Sequence, residues 1–235
     1  GVITNQKFRR TELTSEARNE FFESGRAHVK FVFDMIRQYI NPAFQPASIV
    51  DFGCGVGRLL VHFSPATREV VGLDVSPSML EEAKRNCDAF AVNNVQLLLS
   101  DDQLSALTGS YDLIHSFIVF QHIPPERGRE IFRRILPRIS AGGVGALHFS
   151  YAKTCYAATH GVAPPRPQVV PSAVSAWRTS GQNRKPDADP EMQMNPYHLN
   201  EILFILQGAG VHRFHVEFTD HGGELGVFIF FQTSA

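Results

Sequence analysis

Ser48-Ile49-Val50-Asp51-Phe52-Gly53-Cys54-Gly55-Val56-Gly57-Arg58-Leu59-Leu60 is the stretch on which the fold of this chain turns. A short β-branched run ends in an acid. Three glycines follow at alternate positions, and apolar residues then resume. This pattern predicts a strand over 48–52, a tight turn, and a helix near 58–63. A turn stripped of side chains lets a ligand approach the backbone closely. Dinucleotide sites space their glycines G-x-G-x-x-G and lay a pyrophosphate on the helix N-terminus. Here the third glycine comes one residue early, and Asp51 stands just before the loop. A carboxylate there would repel a pyrophosphate and suits a cationic ligand. The plain alternative is a strand-to-helix turn with a structural role only.

Working outward, Glu69-Val70-Val71-Gly72-Leu73-Asp74 is a second apolar run closed by an acid. An acid at the end of a second strand can accept both hydroxyls of a ribose; the alternative for Asp74 is a loop or capping acid. Ser76-Pro77 then reads as N-cap and first-turn proline of a helix over 77–89. A third run, 95–99, ends at Ser100-Asp101-Asp102. Further strands are expected at 111–117 and 144–150, with a helix at 125–139 between them that Gly142-Gly143 ends. Strict alternation of strand and helix implies a parallel sheet covered on both faces.

On Asp51 to Gly57, with Asp74 one βα unit later, the chain resembles the class I S-adenosylmethionine (SAM)-dependent methyltransferases. Tyr111-Asp112-Leu113-Ile114, Gln121-His122-Ile123-Pro124 and Ala141-Gly142-Gly143 are similar to the middle of their small-molecule members. The resemblance implies an α/β, Rossmann-like, doubly wound sheet in the order 3-2-1-4-5-7-6 with strand 7 antiparallel. Two β runs around Asp220-His221-Gly222-Gly223 supply the closing hairpin. It further implies SAM as cofactor and S-adenosylhomocysteine as product. Asp51, Gly53, Gly55, Gly57, Asp74 and Met79 would line the cofactor site. Asp101 is the favoured match for the acid that meets the adenine amino group, whereas Asp102 could cap a short helix near 104–107. Val75 and Phe117 are candidates to sandwich the adenine, or ordinary core.

The resemblance covers a single domain over 15–235. Its N-terminal helical cover, 15–40, shows apolar residues at helical spacing, and Ser24-Gly25 predicts two pieces or a kink. A Pro-, Ser- and charge-rich insert at 151–195 breaks the rhythm and reads as a lid. Asn195 and Pro196 are then expected to open a helix over 196–206. Asn195-Pro196-Tyr197 is similar to the N/D-P-P-Y motif of nucleobase and amide N-methyltransferases, but that motif follows strand 4, where this chain reads Ser116-Phe117-Ile118-Val119.

In open α/β sheets ligands sit beyond the carboxyl ends of the strands. The loops after strands 4, 5 and 6 therefore form the expected acceptor site, with Gln121, His122, His148, Tyr151, His221 and Glu224 as substrate contacts. His122 is the first candidate general base and His221 the second, because imidazole titrates near neutrality. His115, inside a strand, reads as a satisfied core histidine. No histidine spacing suggests a catalytic metal.

The chain has 235 residues and a formal net charge of −1, which argues against a broad electrostatic footprint for nucleic acid. Its three cysteines include no C-x-x-C pair, which fits a reducing cytoplasm. No long apolar run suggests a membrane span. The reading is an enzyme that methylates a small molecule, at oxygen in preference to nitrogen, with its oligomeric state open. The alternatives are a non-catalytic SAM-binding scaffold subunit and, further off, a nucleotide-dependent oxidoreductase.

Overall fold

The computed structural model describes residues 14–153 and 194–234. Seven strands form one sheet in the order β3-β2-β1-β4-β5-β7-β6. They are β1 (Ser48–Phe52), β2 (Glu69–Asp74), β3 (Val95–Leu99), β4 (Tyr111–Ser116), β5 (Ile139–Lys153), β6 (Phe214–Asp220) and β7 (Glu224–Gln232). β1 to β5 run parallel, and β7 pairs antiparallel with both β5 and β6. The helices are α1 (Ser15–Met35), α2 (Leu60–Phe63), α3 (Pro77–Ala89), α4 (Pro125–Ile135) and α5 (Leu199–Gly208). Buried strands in such a sheet are apolar on both faces, and β1 is buried from Ile49 onward.

The core divides into two clusters, one on each face. Phe120, Phe132, Phe149, Tyr197 and Phe231 anchor the first; Phe22, Val32, Phe63, Phe228 and Phe230 anchor the second, beneath α1. The sheet order, strand polarities and helix α3 agree with the sequence expectations. Several boundaries differ, each for a local reason.

Helix α1 is continuous through Ser24-Gly25 and ends in a π turn at Ile36–Ile40. Gly25 is a packing residue: a Cβ there would lie 2.6 Å from the Arg58 carbonyl oxygen. Glycine here lets α1 lie against the chain that enters α2. Helix α4 stops at Ile135, and β5 begins at Ile139, before Gly142-Gly143. Gly142 takes φ +71° within a register shift, so it bends the strand where a helix end was expected. Helix α2 has four residues and starts two later than expected. Helix α5 starts at Leu199 with His198 at its N-cap. Asn195 is occupied elsewhere, its backbone N–H and side-chain amide both donating to the Gln121 carbonyl.

Tyr197 completes that attachment. Its N–H donates to the Ser150 carbonyl, and its buried hydroxyl lies 3.0 and 2.8 Å from the Phe120 and Ile123 carbonyl oxygens. Asn195-Pro196-Tyr197 therefore reaches the loop after β4 from a distant point in the chain. It ties that loop to β5. Most of the expected insert, 151–195, lies outside the described residues, and so does the start of the chain before Thr14.

Candidate functional site

The glycine loop sits at the carboxyl ends of β1 and β4. Gly53, Gly55 and Gly57 all adopt positive φ, which side chains disfavour. Their surroundings differ. A Cβ on Gly53 would meet Val119 at 2.3 Å, and one on Gly57 would meet Ala83 at 3.2 Å. A Cβ on Gly55 would meet nothing within 4 Å. The outer glycines thus let the loop pack against the segment after β4 and against α3, while the middle one leaves open backbone.

Asp74 closes this cradle. One carboxylate oxygen accepts from the Gly55 N–H at 2.9 Å, and the other accepts from the Ser76 N–H at 2.9 Å. Each oxygen keeps acceptor capacity for a further donor. Val75 stands beside it with 66 % of its surface exposed, an apolar platform at the mouth of the loop. Met79 lies in the first turn of α3, partly buried. The Cys54 thiol is pushed well up, first by burial and then by the charge of Asp51, so it is held as a neutral filler.

Asp51, Asp101 and Asp102 have different surroundings. Asp51 turns inward: it is 2 % exposed, and its carboxylate accepts from His115 Nδ1 at 2.7 Å. Asp101 is the capping acid, accepting from the Ser105 N–H at 2.9 Å, and the residues near 104–107 form turns instead of a helix. Asp102 makes a two-pronged ion pair with Arg127 of α4, at 2.5 and 2.6 Å. The capping role expected of Asp102 thus belongs to its neighbour.

Beyond β4 the side chains sort onto two faces. The Phe117 ring lies 4.1 Å from His28, 5.2 Å from His148, 5.5 Å from His221 and 5.6 Å from Phe228. His148 reaches over β7 to Thr219 of β6, Nε2 to Oγ1 at 2.8 Å. Gly226 makes this crossing feasible, since a Cβ on it would lie 2.4 Å from His148 Nε2. His148 Nδ1 and Ser116 Oγ are buried without a hydrogen-bond partner. Burial, then the neighbouring His221, pushes His148 down to about 3; burial also lowers exposed-edge His221, against the pull of Asp220.

The other expected acceptor residues are placed differently. Gln121 is buried, its Oε1 accepting from Ser150 Oγ and its amide nitrogen lying 3.4 Å from His122 Nε2. His122 itself is exposed. Glu224 is ion-paired with Lys153 at 2.9 Å. Tyr151 packs toward Phe218. His148 and His221, expected at the acceptor site, both lie beside the Phe117 ring, and so does His28, which the sequence reading did not single out. Among the described residues no three His, Cys, Asp or Glu side chains group to hold a metal ion, and no helix is long and apolar enough to cross a membrane.

Comparisons with known proteins agree with this layout. A family profile described as a methyltransferase domain matches residues 49–143. An uncharacterized methyltransferase of Synechocystis sp. is 32 % identical over 108 residues, 46 % of this chain and 49 % of that protein. The magnesium-protoporphyrin O-methyltransferase of Synechocystis sp. is 34 % identical over 79 residues, 33 % of this chain and 34 % of that one. The chain spans under half the length of the curated relatives it matches. The crystal structure of magnesium protoporphyrin IX methyltransferase from Synechocystis PCC 6803 with bound SAH superposes with a TM-score of 0.63 at 17 % identity, covering 97 % of this chain and 91 % of that one. With a methyltransferase-domain pattern over residues 49–143 and this sheet order, the chain has the class I methyltransferase fold.

Proposed function

We propose that this chain transfers a methyl group from SAM to a small-molecule acceptor, at oxygen in preference to nitrogen. The observation that carries the reading is the open cradle at Gly55: bare backbone at positive φ, space where a side chain would stand, and the Asp74 carboxylate fixed at its edge. That arrangement fits a nucleoside whose ribose hydroxyls donate to Asp74 while its base rests near Val75. Asp101, just past the end of β3, is the proposed partner of the adenine amino group. SAM supplies the methyl group and accepts onto sulfur the electron pair of the broken carbon–sulfur bond.

The protein then has three tasks. It aligns the acceptor with the methyl group, excludes water, and handles any proton the acceptor releases. Alignment falls to the aromatic face around Phe117, Phe228 and His221. The near-neutral net charge favours a small acceptor over a nucleic acid. Oxygen is favoured because one relative is an O-methyltransferase and the N/D-P-P-Y arrangement is lacking after β4.

Isothermal calorimetry of the purified chain tests the reading. Saturable binding of SAM and of S-adenosylhomocysteine, without binding of NADH, supports it. Absence of heat with SAM removes it. Methyl transfer from labelled SAM to a panel of hydroxylated and aminated small molecules separates an enzyme from a scaffold subunit.

A further inference from the structure

Beneath the glycine loop a line of polar side chains crosses an otherwise apolar cluster. Asp51 at the end of β1 pairs with His115 of β4, Oδ1 to Nδ1 at 2.7 Å. His115 Nε2 lies 3.0 Å from Nε2 of His28 on α1. His115 is fully buried, with Phe63 and Phe228 at its ring edges. His28 emerges at the aromatic face, its ring against Phe117. Among the described residues nothing hydrogen-bonds His28 Nδ1.

The chemistry of the donors orders this line. An ionised carboxylate only accepts, so the proton of the first bond sits on His115 Nδ1. A neutral His115 then offers a bare Nε2, which accepts from Nε2–H of His28. A neutral His28 in turn is left with a bare Nδ1 at the open end. His28 itself is held neutral, pushed down to about 2 by burial first and then by His115, Arg58, His148 and His221 around it.

We propose that His28 is the proton acceptor for the methyl-transfer reaction, kept with Nδ1 bare by Asp51 and His115 acting as positioning residues. This rests on the methyl-transfer reading above. The acceptor class is one whose attacking atom carries a proton, O–H before N–H, on a flat ring that can lie against Phe117. As the acceptor's atom bonds to the methyl carbon, its proton goes to His28 Nδ1. The Nε2 proton of His28 passes to His115 Nε2, and the Nδ1 proton of His115 passes to Asp51. The arriving charge thus meets the carboxylate, and no imidazolium remains among the phenylalanine rings. A desolvated histidine that resists charging can therefore still take up a proton.

The test reads tautomers in the whole chain by histidine 15N NMR, with His28→Gln identifying the His28 signals. The expected result is a neutral His28 from pH 5 to 8, protonated on Nε2, and a His115 protonated on Nδ1. With saturating S-adenosylhomocysteine, phenol as a donor probe should shift the His28 Nδ1 resonance, whereas anisole, which lacks the hydroxyl, should leave it unmoved. In a folded His115→Phe variant the tautomer preference of His28 should be lost. A His28 proton on Nδ1, or equal responses to phenol and anisole, overturns the proposal while SAM binding by the wild type leaves the broader reading standing. Failure of the wild type to bind SAM overturns both.

Discussion

The Asp74 carboxylate and the Gly55 N–H are joined by a 2.9 Å hydrogen bond across the end of the sheet. The acid of β2 and the bare turn after β1 are therefore one structural unit. Removing the carboxylate takes away a candidate ribose acceptor and also releases the turn. Charged hydrogen bonds contribute about 1.5–3 kcal/mol, so Asp74→Ala is expected to weaken SAM binding by roughly 10- to 100-fold. Asp74→Asn should lose less, because its amide oxygen can still accept from Gly55. Calorimetric dissociation constants for the three proteins check this; equal affinities would take Asp74 out of the site.

Gly25 and Arg58 show how α1 is seated. The missing Cβ leaves room for the Arg58 carbonyl, and Arg58 Nη1 donates to Ser24 Oγ at 3.1 Å. Gly25→Ala relieves an entropic cost but drives a methyl into backbone at 2.6 Å. Overpacking of this kind costs about 1–3 kcal/mol, so the melting temperature should fall by roughly 2–10 °C. A melt unchanged or raised would show that α1 shifts freely over α2.

The same residue shows what the sequence conceals. Gly25 in a helical pattern reads as a break because helix interiors penalise glycine; its reason is contact with a chain 33 positions away, which no local pattern displays. The first three strands were legible because each apolar run is closed by an acid, Asp51, Asp74 or Asp101. The bare turn after β1 was legible from its glycine spacing. The acids were less so: Asp51, Asp101 and Asp102 look alike in sequence, but His115, Ser105 and Arg127 give them three different surroundings. His28 was invisible because its partner His115 lies 87 residues away.

His28 and His148 are both neutral in the fold, with values pushed down to about 2 and about 3. The unfolded chain, whose histidines titrate near 6.5, binds more protons than the folded one below that pH. Stability therefore rises with pH through this window and is lost as pH falls from about 6.5 toward the folded values. Each buried histidine contributes a slope of up to about 1.4 kcal/mol per pH unit. Urea midpoints of the wild type should drop clearly between pH 7 and pH 5.5. His28→Gln should flatten that dependence by up to half, and parallel curves would mean that His28 charges without cost.

Gly128 and Tyr197 provide the sharpest energetic test of the attachment between α4, the loop after β4 and the segment before α5. A Cβ on Gly128 would lie 1.9 Å from the Tyr197 hydroxyl oxygen and 2.8 Å from its ring carbon Cζ. Tyr197→Phe removes the hydroxyl and leaves the Phe120 and Ile123 carbonyls without that donor, a loss of about 1–3 kcal/mol. Gly128→Ala alone forces the tyrosine out of its site and should cost more. In the double variant the closest clash is gone, although the ring contact persists. The two changes should therefore cost less together than the sum of the singles, by roughly 0.5–3 kcal/mol. A double-mutant cycle by urea unfolding measures the coupling. Strict additivity would mean that Tyr197 does not occupy this slot, and the link it makes between the loop after β4 and β5 would go with it.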